Sequence, residues 1–166
     1  MAKYICCATR EETRIVGKYS GGRLVPIQTG FPRHDSLLEK LKERVSKTKR
    51  IFITFHWRTG EYDFSRKSFS ESQYLKDVNQ LLNSEEIKRL SESGEAEVMF
   101  FPHARFVKYL SLFKVPSHVK IPESMQFQDM LVDSDVLVTD FSSNSFEMAY
   151  MGKPTIVYVP GLKYVR

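Results

Sequence analysis

The sequence predicts an α/β fold, a parallel sheet with helices on both faces, from three observations. Short apolar runs alternate along the chain with amphipathic stretches. Several runs are continuous Val, Ile, Phe and Leu, which suits central strands buried on both faces. Near the end, the run closing at Thr139 passes through a short polar turn straight into a helical pattern from Ser143.

The elements follow in order. Strands are expected at Tyr4 to Ala8, Arg23 to Gln28, Arg50 to Phe55, Glu97 to Phe101, Val136 to Thr139 and Thr155 to Val159. Helices are expected at Glu11 to Tyr19 and at Asp35 to Ser46, the latter with Leu37, Leu38, Leu41 and Val45 on one stripe and Asp35 or Ser36 as N-cap. Further helices fall at Glu71 to Leu82, at Ser84 to Ser93 with Gly94 as stop, at Ala104 to Phe113, at Ser124 to Asp133 and at Ser143 to Met151. Between Arg58 and Ser70, polar residues outnumber apolar ones, so this stretch reads as a flexible insertion, either a lid or a long surface loop.

A chain of 166 residues that is 42% hydrophobic can bury one good core, so one principal domain and a fragment of a second are expected. Cys6 and Cys7 are neighbours in an apolar run and cannot supply a disulfide framework or a metal cage, and they read as small residues in a buried strand. No apolar stretch is long enough to span a bilayer, and nothing resembles a secretory signal, so a cytosolic location is expected. The net charge of +5 and pI near 9.2 favour an anionic partner. Nucleic acid is not expected, because the aromatics sit in strand and helix patterns and are not interleaved with basic residues along one face. No zinc spacing is present.

Asp133 to Pro160, DSDVLVTDFSSNSFEMAYMGKPTIVYVP, reads as strand, polar turn, helix, turn, strand. Two readings of the junction are open. Asp140, Ser142 and Ser143 cap a helix and do nothing more. Alternatively, helix amides and the hydroxyls of Ser142, Ser143 and Ser145 hold an anion. Asp140 at the carboxyl end of a strand, and Glu147 one helical turn after Ser143, where it can accept ribose hydroxyls, favour the second reading.

The segment resembles the signature of CDP-glycerol glycerophosphotransferases. Ser134-Asp135-Val136-Leu137-Val138-Thr139-Asp140-Phe141-Ser142-Ser143 matches an SDVLITDYSS-like string, followed by Phe146-Glu147, by Gly152-Lys153-Pro154 and by an apolar strand. Earlier segments fall in the family's order. Thr29 to Asp35 resembles its TGxPRxD turn. Ile51 to Thr59 resembles a strand ending in a TWR-like string, with His56 where a proline-threonine pair is usual. Phe100-Phe101-Pro102-His103 resembles a KLHP string of which the histidine remains.

The resemblance implies a Rossmann-like sheet forming the C-terminal half of a GT-B-type enzyme. Residues 1–20 are then a remnant of the acceptor half with its linker, and residues 21–166 a nucleotide-diphosphate-binding domain truncated at its C-terminus. It implies His103 as the catalytic residue. The diphosphate or nucleotide ligands implied are Arg105, Thr139, Asp140, Ser142, Ser143, Ser145 and Glu147, with Arg33 and Arg58 as further anion ligands. Arg33 can equally be a turn-stabilising residue, and Arg58 an exposed loop charge. No metal and no resident cofactor is implied, CDP-glycerol being a substrate.

The implied acceptor is a lipid-linked polyol phosphate, which would bring the protein to the inner face of the cell membrane. The six basic residues between Lys40 and Arg50 suit such a surface but mostly form a solvated helix face. The family's base lies in a His-Gly motif that this sequence does not contain, so the chain alone is expected to bind nucleotide without extending a polymer. The rival readings are the donor half of another GT-B transferase, or a non-catalytic α/β module.

Overall fold

The computed structural model describes residues 3–45, 48–57, 65–122 and 126–161. The chain forms two compact units, 1–43 and 44–166. The boundary expected after residue 20 falls instead between Glu43 and Arg44, because the strand at residues 25–28 pairs with the first strand and not with the larger sheet.

In the first unit, β1 (Tyr4–Cys7) and β2 (Val25–Gln28) form a parallel pair joined by α1 (Arg10–Tyr19). Thr9 caps α1 by accepting the Glu12 amide at 3.1 Å, and the Glu12 carboxylate reaches back to accept the amide of Ala8, just before the cap, at 2.6 Å. In a two-stranded sheet both strands are edges, so the expectation of central, doubly buried strands fails here, and Cys6 is exposed while Cys7 is buried. Helix α2 (Pro32–Glu43) starts three residues before the expected cap. Gly30, at φ 71°, turns the chain, and Pro32 takes the first helical position, where its missing N–H costs nothing. Asp35 is therefore inside the first turn.

The second unit is a five-stranded parallel sheet. Its strands are β3 (Arg50–Ile53), β4 (Glu97–Phe100), β5 (Val119–Lys120), β6 (Val136–Thr139) and β7 (Thr155–Val157), in the order β5-β4-β3-β6-β7. The chain runs outward from β3 through β4 to β5, returns to the other side of β3 and continues through β6 to β7. Right-handed crossovers in opposite directions place helices on opposite faces. Register and packing agree. Phe52 aligns with Met99 and Leu137, and its ring meets Phe127 of α6 (Phe127–Asp133) at 5.5 Å. The alternate residues Ile53, Val98, Phe100 and Val138 join the core built by α3 (Arg66–Glu71), α4 (Gln73–Leu82) and α5 (Glu85–Glu92).

Part of the expected flexible insertion is a helix. Ser65 caps α3, and Phe69 is fully buried, stacking on Phe106 at 4.6 Å and Tyr109 at 5.4 Å. Ser72 ends α3 and caps α4, so the helix expected from Glu71 begins at Gln73. The segment Ala104–Leu112 is a 3-10 helix, kinked at Tyr109. Three residues per turn put Phe106 and Tyr109 on one buried face.

Candidate functional site

The sheet order brings the carboxyl ends of β4, β3 and β6 side by side, and the direction of winding reverses between β3 and β6. Open α/β sheets bind ligands in the crevice at such a point. Three segments arrive there: Thr54 to Trp57 after β3, Phe101 to Arg105 after β4, and Asp140 to Ser143 before α7 (Asn144–Tyr150).

Asp140 ties two of them together. It is 3% exposed, and its carboxylate accepts the backbone N–H of His56 at 2.8 Å, from the far side of the crevice. The His56 ring stands edge-on to His103 at 5.3 Å, and Trp57 lies 6.3 Å from His103. The Arg105 guanidinium stacks on Trp57, 3.8 Å from the ring centre. Imidazole, indole and guanidinium thus meet over adjacent strand ends.

His103 is held by its own chain. Its Nδ1 accepts the Arg105 amide at 3.2 Å, so the neutral ring carries its proton on Nε2. Partial burial lowers its pKa, the charges of His56 and Arg105 lower it further, and Asp140 opposes them. A ring kept neutral with an Nε2–H donor can contact a phosphate oxygen, and an arriving anion then draws a second proton onto it.

The serine turn differs from a cradle of open donors. The Ser142 hydroxyl is buried and accepts the Asn144 amide at 3.3 Å, the Ser145 hydroxyl donates to the Ser142 carbonyl at 2.8 Å, and the Ser145 and Phe146 amides bond the Ser142 and Ser143 carbonyls. These groups close the turn on itself, because a helix of only seven residues begins with tight local bonds. Ser143 is the exposed hydroxyl of the three. Thr139 is fully buried under the β6–β7 pairing, and Glu147 is 9% exposed on α7.

Of the expected residues, His103, Arg105, Thr139, Asp140, Ser142, Ser143, Ser145 and Glu147 all belong to this unit and to the β4 and β6 ends or α7. Arg33 belongs to the first unit, where its guanidinium packs on Phe31 at 4.7 Å. Arg58 lies outside the described residues. Sequence reasoning left out His56 and Trp57; the signal for both was their place directly after an apolar strand.

The other half of the signature works at the opposite end of the sheet. Asp135, before β6, accepts Arg44 through both oxygens at 2.9 Å and the Arg50 amide at 2.8 Å. The Arg44 hydrogen bond leads in lowering the Asp135 pKa. Lys153 donates to the carbonyls of Leu131 (3.3 Å), Val132 and Ser134 (2.7 Å), closing the end of α6. Gly152, at φ 69°, makes the turn that brings it there. The conspicuous Gly-Lys-Pro string is therefore a structural fastening.

Comparison with known proteins shows what the chain is similar to. The chain is 27% identical over 169 residues to the minor teichoic acid biosynthesis protein GgaB of Bacillus subtilis, covering 94% of this chain and 18% of that protein. It is 24% identical over 152 residues to the teichoic acid poly(glycerol phosphate) polymerase of Bacillus spizizenii, covering 84% of this chain and 36% of that one. The structure of the wall teichoic acid polymerase TagF, of which a variant was also solved after a soak with CDPG, superposes with a TM-score of 0.65 at 18% identity, over 95% of this chain and 39% of TagF. The chain thus spans well under half of each relative. The shared fold is the Rossmann-type α/β arrangement of GT-B-like proteins. The family model for CDP-Glycerol:Poly(glycerophosphate) glycerophosphotransferase matches residues 1–166, and the chain belongs to that family of teichoic acid transferases.

Proposed function

We propose that this chain is the donor-binding part of a transferase that moves glycerol phosphate from CDP-glycerol to a lipid-linked polyol-phosphate acceptor and releases CMP. The observation that carries the reading is the convergence of His103, Arg105, His56 and Trp57 over the β3, β4 and β6 ends at the winding reversal. A cationic and hydrogen-bonding group set above a strand-end crevice matches a nucleoside diphosphate in charge, and the indole offers a face for stacking. The CDPG soak of TagF supports the choice of nucleotide.

In the reaction, the terminal hydroxyl of the acceptor attacks the β-phosphorus, and the bond from that phosphorus to the oxygen it shares with CMP breaks. Such transfer depends mainly on positioning and charge stabilisation. His103 donates Nε2–H to the diphosphate and, once protonated, supplies the proton or charge that the departing CMP needs. Arg105 adds a fixed cation, and Ser143 an exposed hydroxyl. Glu147 is the group assigned to the ribose. No resident cofactor enters this scheme. This stretch holds no His-Gly pair to supply the base, so by itself it binds donor without lengthening a polymer.

A lipid-linked acceptor places the work at the cytoplasmic membrane face. Among the described residues, no helix is long and apolar enough to cross a membrane.

Trp57 is the chain's single tryptophan, so its emission reports on the site. Titration with CDP-glycerol, CDP-ribitol and UDP-sugars should give saturable quenching or enhancement, strongest for CDP-glycerol. Preference for a UDP-sugar would reassign the donor; no response and no calorimetric heat with any nucleotide would leave a non-catalytic module.

A further inference from the structure

Two imidazoles share the crevice, though one suffices as a donor to phosphate. His56 is exposed, lies in the loop just past β3, and stands edge-on to His103 at 5.3 Å. Its backbone is fixed by the Asp140 carboxylate, which accepts the His56 N–H at 2.8 Å across the winding reversal. A buried carboxylate placed there holds the loop without reaching into solvent, and a backbone bond leaves the His56 side chain available to the crevice. Among the described residues, the charges acting on His103 besides His56 are Arg105 from the 3-10 segment and Asp140 from the end of β6.

We propose that His56 is a second contact for the diphosphate, sharing the anion with His103, and that Asp140 is the positioning residue that keeps the two rings together. The inference rests on the donor-site reading above and adds to it a recognition residue. Two neighbouring imidazoles resist double protonation, whereas an anion between them favours it. The shared contact is therefore strongest at low pH, where imidazoles in general carry charge.

The test uses the full chain with CDP as probe, by calorimetry at pH 6.0 and 8.5, and by NMR titration of the imidazole Cε1–H resonances. His56→Gln should weaken CDP binding roughly three- to tenfold at pH 6.0, and the deficit should shrink to within about twofold at pH 8.5, where neutral rings predominate. In the free His56→Gln protein, His103 should titrate at higher pH than in the parent, having lost a like-charged neighbour. Asp140→Ala should reproduce the His56→Gln deficit, and Asp140→Asn, which keeps an acceptor oxygen, should restore most of the affinity.

Equal CDP affinity in parent and His56→Gln at both pH values overturns the inference while leaving the donor site intact. A deficit of the same size at both pH values also overturns it, since that is the mark of altered packing. A parent chain that binds no CDP overturns the donor-site reading itself.

Discussion

The guanidinium of Arg105 lies 3.8 Å from the centre of the Trp57 ring, joining the loop after β4 to the loop after β3. An exposed cation–π contact contributes roughly 0.5–1 kcal/mol. Arg105→Ala should accordingly lower stability by no more than about 1 kcal/mol in urea. It should shift Trp57 emission and weaken CDP-glycerol binding about tenfold or more. Unchanged nucleotide affinity would leave Arg105 a packing residue.

His103 is depressed by burial and by the nearby His56 and Arg105 charges, so near neutral pH the free ring is largely neutral. A bound diphosphate raises its pKa, and between the free and bound values the complex carries more protons than its parts. Calorimetry of CDP-glycerol binding in two buffers of different ionisation enthalpy should therefore show net proton uptake near pH 6.5, and His103→Ala should abolish much of it. Equal uptake in the variant would place the titrating group elsewhere.

Phe69 stacks on Phe106 and Tyr109 and meets Phe113 at a tilt, with no exposed surface. Phe69→Ala should cost about 3–5 kcal/mol in urea denaturation. A loss below 1 kcal/mol would mean that α3 does not belong to the cooperative core.

Lys153 is pushed down from 10.5 to about 8 by burial first and the Arg44 charge second, with Asp135 and Asp133 opposing. Lys153→Met leaves the carbonyls at the end of α6 without their donor and should destabilise by about 1–3 kcal/mol at pH 7. Between about 8 and 10.5 the unfolded chain holds a proton on this lysine that the folded chain has released, so the parent should gain stability with rising pH relative to Lys153→Met. Parallel stability curves for the two proteins across that range would contradict the assignment.

Strand and helix types were legible because apolar runs and stripes report burial directly. Ser84 before α5 and the run from Val136 were placed from local chemistry alone. The misreadings have local causes. A polar segment hid α3 because a single phenylalanine anchors it, and β5 has only two residues and so leaves no pattern. The 3-10 character of Ala104–Leu112 came from packing two aromatics three apart.

Asp140 was readable as a strand-end carboxylate, yet its partner, the amide of His56, lies 84 residues away, and no spacing rule links them. The same holds for Asp135 with Arg44, 91 residues apart. The sequence by itself determined the layered α/β plan, the family and the histidine at the end of β4, since each depends on local pattern or ordered motif. Strand order was decided only in three dimensions, because backbone hydrogen bonds between strands carry no side-chain code, and that order set β3 between β4 and β6. From it follow the meeting of His56 with His103 and the division of one continuous signature into a crevice end and a fastening end.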